Sequence, residues 1–158
     1  MYRRSLVPSE FVVPLSLEGN GFRLRPLTIH DLVKDYDAVM TSVDHLKGLM
    51  EPDSDWPIGL TLEDDLIDLA WHYREFTIRH SFAYTMMAPD ESRCLGCCYI
   101  NPSADPAFDA DVFYWARQSE LASGLEDRLG AAIRQWLKAD WPFQRVAFPG
   151  REHPFRKA

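Results

Sequence analysis

The stretch that most constrains the fold is Asp111–Ala139, a strand pattern, a sharp loop and an amphipathic helix pattern in close succession. Asp111-Val112-Phe113-Tyr114-Trp115-Ala116 is β-branched and aromatic, as a buried strand should be. After the polar Arg117-Gln118-Ser119-Glu120, apolar residues recur at Leu125, Leu129, Ala132, Ile133, Trp136 and Leu137, which is helical spacing. Ser123-Gly124-Leu125-Glu126 joins the two. A glycine there permits a tight turn and lets a ligand approach the first helical N–H groups, which suits an anion such as a pyrophosphate. Ser123-x-x-Glu126 is also a capping-box spacing, which would spend those donors within the helix itself.

The rest of the chain supplies partners for this unit. Residues 1–21, with Pro8, Pro14 and Asn20-Gly21, read as an extended arm ending in a turn. Residues 22–158 read as one domain, a size that can bury a sizeable core. Phe22–Leu27 is a short strand with Phe22 and Leu24 on one face and the arginines on the other. Thr28-x-x-Asp31 and Thr61-x-x-Asp64 open two helices as capping boxes. The first is expected to bury Leu32, Tyr36, Val39, Met40 and Val43. The second is expected to bury Leu62, Leu66, Leu69, Ala70, Tyr73 and Phe76. The Pro-containing run Glu51–Gly59 between them is a loop, either pinned to the core by Trp56 or presenting it as a contact surface. Ser81–Met87 and Cys94–Ile100 read as a hairpin, and Gln144–Phe148 as a last short strand. Strand, helix, helix, three strands, helix, strand is an α/β arrangement with antiparallel hairpins and one parallel crossover.

Charge and cysteine usage narrow the functional classes. A net charge of −7 argues against a general nucleic-acid binder, which needs cations to release counterions. No apolar run is long enough to cross a bilayer, and the Arg3-Arg4 pair has no apolar segment behind it, so a cytoplasmic protein is expected. Eleven carboxylates fall between Asp31 and Asp68 against Lys34 and Lys47 alone, whereas the C-terminal end is basic, with Arg145, Arg151, Arg156 and Lys157. The acids are either the solvated faces of two helices or a rim that attracts a cationic acceptor. Cys94-Leu95-Gly96-Cys97 has metal or redox spacing. It lies in a strand, however, with Cys97 and Cys98 on opposite faces, and buried core thiols are the expectation; no metal is expected.

The order of elements and these local patterns resemble the GNAT superfamily of acyl-CoA-dependent N-acyltransferases, from Phe22 to Phe148. Phe22–Thr28 with Asp31 is similar to the family's opening strand and helix start, and Ser81–Ile100 to its second and third strands. Asp111–Arg117 would be the fourth strand. The resemblance implies a mixed, mostly antiparallel sheet flanked by helices, and acetyl-CoA as acyl donor. Pantetheine would pair along Trp115, Ala116 and Arg117 as an added strand, with the pyrophosphate at Ala122, Ser123, Gly124 and Leu125. It implies a primary amine of a small molecule or peptide as acceptor. The cofactor loop departs from the family pattern at Leu121, where a basic or amide residue is usual, and at Glu126, where a small one is. A carboxylate beside a pyrophosphate is repulsive unless it swings aside, helped by Arg117 or Arg128. The same family's C-terminal helix and strands are missing after Gly150. Either a partner subunit, hence a homodimer, or the N-terminal arm would cover that edge.

Acyl transfer to an amine needs a base for the ammonium proton and donors for the oxyanion. Asp111, early on the fourth strand, is the preferred base over Asp109. Tyr114 is the candidate acid, with Tyr99 behind it, although both carboxylates also suit a strand entrance and both tyrosines a core. His30, His45, His72, His80 and His153 are scattered without metal spacing. No nucleophile elbow or phosphate-loop lysine signature is present. Two readings stay open: an acetyltransferase, or a non-catalytic binding or assembly protein of the same fold that has lost coenzyme A.

Overall fold

The computed structural model describes residues 4–155; Met1–Arg3 and the basic pair Arg156 and Lys157 lie outside them. Six strands form one sheet in sequence order: β1 Leu17–Gly19, β2 Phe22–Pro26, β3 Phe82–Met87, β4 Cys94–Pro102, β5 Ala110–Ala116 and β6 Val146–Ala147. Neighbours are antiparallel up to β5, and β6 runs parallel to β5. The helices are α1 Leu32–Met40, α2 Val43–Leu46, α3 Leu62–Thr77 and α4 Leu125–Asp140. No helix of the described residues is long and apolar enough to cross a membrane. The arm is more than an extended lead: its end folds back at Asn20-Gly21 so that Leu17 pairs with Leu24. Its Val7 is buried, and the Pro14 carbonyl accepts a hydrogen bond from the Tyr84 hydroxyl at 2.6 Å.

The sheet divides the core by side-chain alternation. On one face, α4 and the arm cover Tyr84, Cys98, Val112 and Tyr114. On the other, α1, α2 and the loop after them cover Cys97 and Trp115. Cys97 and Cys98 therefore face opposite ways, as the alternation predicts. Cys94 does not follow it. The ladder slips between Met86 and Met87, so that Gly96 and Cys94 pair with consecutive residues and Leu95 is skipped. This bulge turns Cys94 onto the face of Cys97. A Cβ on Gly96 would meet the Trp115 carbonyl oxygen at 2.0 Å, so only glycine allows the two strands to approach there.

Helix α4 buries Leu125, Leu129, Ile133, Trp136 and Leu137, the stripe its spacing predicts. Helix α3 buries only part of the predicted one, Leu69 and, less completely, Phe76. Leu62, Leu66 and Tyr73 are exposed, as is Ala70, while Asp65, Leu69 and Glu75 are buried. The helix is rotated so that the stripe Asp65-Leu69-His72-Phe76 faces the protein and the more apolar stripe faces outward. In α1 the buried residues are Asp35, Ala38 and Val39; Leu32, Tyr36 and Met40 are only partly covered.

Candidate active site

Two features meet at β5: an open strand edge and a cavity. The edge exists because β6 pairs with β5 only at Ala110–Val146 and Asp111–Ala147, leaving the rest of that side of β5 without a strand partner. Two of its main-chain groups are taken by side chains instead. Arg151 Nη2 donates to the Tyr114 carbonyl at 2.7 Å, and Glu126 Oε1 accepts from the Ala116 N–H at 3.0 Å. The two side chains face each other at 3.6 Å, and His45 Nε2 contacts Glu126 Oε1 at 2.6 Å. A turn from Phe148 to His153, closed by His153 Nδ1 accepting from the Phe148 N–H, delivers Arg151, whose guanidinium lies 3.8 Å over the Tyr114 ring. The short C-terminal segment thus reaches the edge by itself.

This arrangement corrects the capping-box expectation for Ser123 and Glu126. Ser123 Oγ donates to the Glu120 carbonyl, and no side chain caps α4. Burial works to raise the Glu126 carboxyl, but hydrogen bonds from His45 and Ala116 outweigh it and hold the group below the usual range. Gly124 adopts a left-handed conformation with φ 79° at the start of the helix, where a side chain would be strained. The first turn of α4 keeps orphan N–H donors beside Ala122, Ser123 and Leu125. Arg128 Nη1 donates to the Ser123 carbonyl at 2.6 Å and braces the loop.

The other expected residues scatter. Arg117 is turned to the α1 side, donating to Asp37 at 2.6 Å and to the Cys94 carbonyl at 3.2 Å. Trp115 is buried on the same side, its Nε1 donating to the Tyr99 hydroxyl at 3.2 Å. Only its main chain reaches the edge region. Asp111 and Tyr114 stand on opposite faces of β5. The Tyr114 hydroxyl is under α4, accepting from Arg134 at 3.0 Å, and Gly130 allows the contact: a Cβ there would meet that oxygen at 2.4 Å. Asp111 is buried on the cavity face, in register with Asn101. Asp109 is a strand-entrance anchor, accepting from the N–H groups of Gln144 and Arg145.

The cavity, of about 380 Å³, opens on the α1–α3 face. Asp35 and Asp65 line it from two helices, with Asp68 and His72 further along α3, and Tyr99, Asn101 and Phe113 form its floor on the sheet. His72 stacks on Tyr99 with ring centroids 5.2 Å apart. Trp56 packs on the α1-side core, which pins its loop, and also lines the cavity. Burial pushes the Asp35 carboxyl well up, with the charges of Cys94 and Asp65 adding to it. Asp65 is raised by burial too, and burial lowers His72. Donor atoms of Asp35, Cys94 and Cys97 lie within 4.8 Å of one another. Cys97 Sγ donates to Asp35 at 3.6 Å and Cys94 Sγ to the Gly96 carbonyl at 3.4 Å, so hydrogen bonding accounts for the cluster without an ion.

The buried acids were not anticipated, although the sequence carries a signal for each. Asp35 falls within the Leu32–Tyr36–Val39 stripe, and Asp65 one turn before Leu69 and two before His72. The Glu126–Arg151 contact has no local signal, because it joins residues far apart in sequence.

A splayed parallel pair beside an uncapped helix start, on a mixed sheet of this order, is the GNAT fold, and comparison with solved structures shows the same. Ribosomal-protein-S5-alanine acetyltransferase from Vibrio fischeri matches with TM-score 0.61 at 18% identity, over 80% of this chain and 69% of that one. Mycobacterium smegmatis RimJ, solved with a coenzyme A disulfide, matches with TM-score 0.64 at 15% identity, over 79% and 60%. The microcin C7 self-immunity acetyltransferase MccE, solved with acetyl-CoA and AMP, matches with TM-score 0.57 at 13% identity, over 80% and 69%. At these identities the likeness is one of fold. No protein-family model matches the sequence, and no curated protein does.

Proposed function

We propose that the protein is an acetyl-CoA-dependent N-acetyltransferase acting on a primary amine. The observation that carries this reading is the open edge of β5 from Tyr114 to Ala116. It lies between the uncapped start of α4 on one side and the cavity wall at Phe113 on the other. A pantetheine arm offers amide groups of the kind that the Tyr114 carbonyl and the Ala116 N–H need, and the first-turn N–H groups of α4 from Leu125 onward suit a pyrophosphate. Acetyl-CoA would supply the thioester. Asp111, on the cavity face where β5 and β6 part, is placed to take a proton from the ammonium so that the amine can attack. The new bond joins the amine nitrogen to the acyl carbon, the carbon–sulfur bond breaks, and the thiolate takes up a proton from solvent. Tyr114 is left out of these roles because its hydroxyl is under α4.

Glu126 and Arg151 favour a second reading. They already hold the edge groups that pantetheine would use, which suits a binding protein that no longer takes coenzyme A. Exchange would give up two charge-assisted hydrogen bonds, each worth about 1.5–3 kcal/mol, in return for new ones. Titration calorimetry with acetyl-CoA separates the readings. The enzyme reading expects saturable heat; silence at about 1 mM ligand, equivalent to less than about 4 kcal/mol of binding, assigns the fold to the non-catalytic role.

A further inference from the structure

The cavity on the α1–α3 face is more acidic than a packing void has reason to be. Asp35 and Asp65 are each only 3% exposed, and their carboxyls come from different helices to meet in its wall, hydrogen-bonded to one another. Apart from the Asp35 carboxyl, the buried Asp65 Oδ2 meets no hydrogen-bond donor. Asp68 and Glu51 add carboxylates to the lining, and among the described residues no lysine or arginine lines it. Buried carboxylates without a counter-charge are costly, and a ligand that brings positive charge relieves the cost. The walls are suited to the same ligand. Trp56, Tyr99 and Phe113 present aromatic surface, which attracts alkylammonium groups and covers methylene chains.

The shape adds a length. Cys97 touches Asp35, and the same face of β4 continues through Tyr99 to Asn101. Four residues of strand span about 13 Å. Asn101 is paired with Asp111, at the point where β5 leaves β6. One end of the cavity is therefore an acidic pair and the other adjoins the proposed base.

We propose that this cavity binds a linear aliphatic diamine of the polyamine kind. One ammonium is held by Asp65 and Asp35, and the other end is laid beside Asn101 next to Asp111. The acidic excess between Asp31 and Asp68 then has a site to serve as well as helix ends to stabilise. The fate of the bound amine rests on the acyl-transfer reading, but its binding does not. The test is accordingly made on the full chain without acetyl-CoA, so that a failure here is distinct from a failure of coenzyme binding.

Titration calorimetry with the linear diamines putrescine and 1,8-diaminooctane, the second long enough to reach Asn101, is compared with butylamine and with a short peptide beginning with alanine. The expected result is saturable one-to-one binding of the diamines, with butylamine and the peptide at least about tenfold weaker. Asp65→Asn should weaken diamine binding about tenfold or more, because it removes a charge that holds one ammonium. Asp68→Asn, at the exposed rim, serves as a variant that spares the interior and should weaken diamines by a smaller factor. Equal affinity for putrescine and butylamine, tighter binding of the peptide, or undiminished diamine binding by folded Asp65→Asn each overturns the proposal.

Discussion

Helices α3 and α4 are both sixteen residues long and both amphipathic, yet they use their faces in opposite ways. In α4 the apolar stripe goes inward: Leu129 and Ile133 are fully buried, and Trp136 meets Tyr84 edge to face at 5.0 Å. In α3 the inward stripe carries Asp65 and His72, while Ile67, Trp71 and Tyr73 are more than half exposed. A helix that exists to hold the sheet puts its most apolar side down. A helix that exists to wall a polar cavity cannot, and its stability leans on the Thr61–Asp64 capping box and on the acids Glu63, Asp64 and Asp65 in its first turn. One helix packs the sheet, and the other walls the cavity.

The largest effect that tests this division is at Leu129. Truncation by Leu129→Ala removes a fully buried side chain from the α4–sheet interface and leaves a cavity, with an expected cost of about 2–5 kcal/mol. Denaturant melts measure it directly. A loss below about 1 kcal/mol would mean that α4 is not the scaffold helix.

The next effect concerns Glu126, the acid that α4 turns toward the edge of β5. Glu126→Gln keeps a hydrogen-bond acceptor for the Ala116 N–H but removes the charge that would face a pyrophosphate and that now pairs with Arg151. Acetyl-CoA affinity is expected to rise about tenfold, or about 1.4 kcal/mol. Calorimetry on the folded variant checks it, and unchanged affinity would show that Glu126 is not what guards the edge.

These two residues also mark how far the sequence could be read. Leu129 was legible because its neighbours repeat with one helical period and nothing competes with that period. The strands were legible for a similar reason, and the Thr28 and Thr61 boxes formed as their spacing predicts. Glu126 was misread because Ser-x-x-Glu has a local solution, the capping box, and the chain uses a tertiary one. Its partners His45 and Arg151 are remote in sequence, so no window contains them. Helix α3 was misread because two stripes overlap in it, and apolarity alone selects the wrong one when the core beneath is a cavity. The bulge at Gly96, which gathers Cys94 with Cys97, depends on a close approach to Trp115 on another strand, and spacing cannot encode that.

The cavity wall makes a prediction about acidity. Burial raises the Asp35 carboxyl, with Cys94 and Asp65 adding charge, so the folded protein holds that proton to a higher pH than the unfolded chain does. Below the unfolded value of about 3.9 both states are protonated and the group is neutral in its effect. As pH rises through that value, the unfolded state releases its proton first, and stability falls until the folded group ionises as well. Asp35→Asn removes the liability. Its melting temperature should exceed that of the parent by a few degrees, roughly 2–4 °C, near pH 8, and the gain should vanish toward about pH 4. A gain that is independent of pH would place the benefit in packing rather than in the buried charge.

The smallest effect is the sharpest test of the comparison, because the two ways of reading α3 disagree about it most. If Leu66 belonged to a buried stripe with Leu62 and Leu69, Leu66→Gln would leave an amide in the core and cost several kcal/mol, about the scale of Leu129→Ala. Leu66 is instead 39% exposed on the outward side, where glutamine is as good a helix former as leucine and its amide can be hydrated. The expected change is within about 0.5 kcal/mol. Leu69→Gln, one turn step away and 2% exposed, supplies the internal control, since it faces Leu27 and Ala83 and should be costly. A melt in which Leu66→Gln is tolerated and Leu69→Gln is not fixes the rotation of α3 and, with it, the inward placing of Asp65. The reverse result would turn the helix over and take the carboxylate out of the cavity.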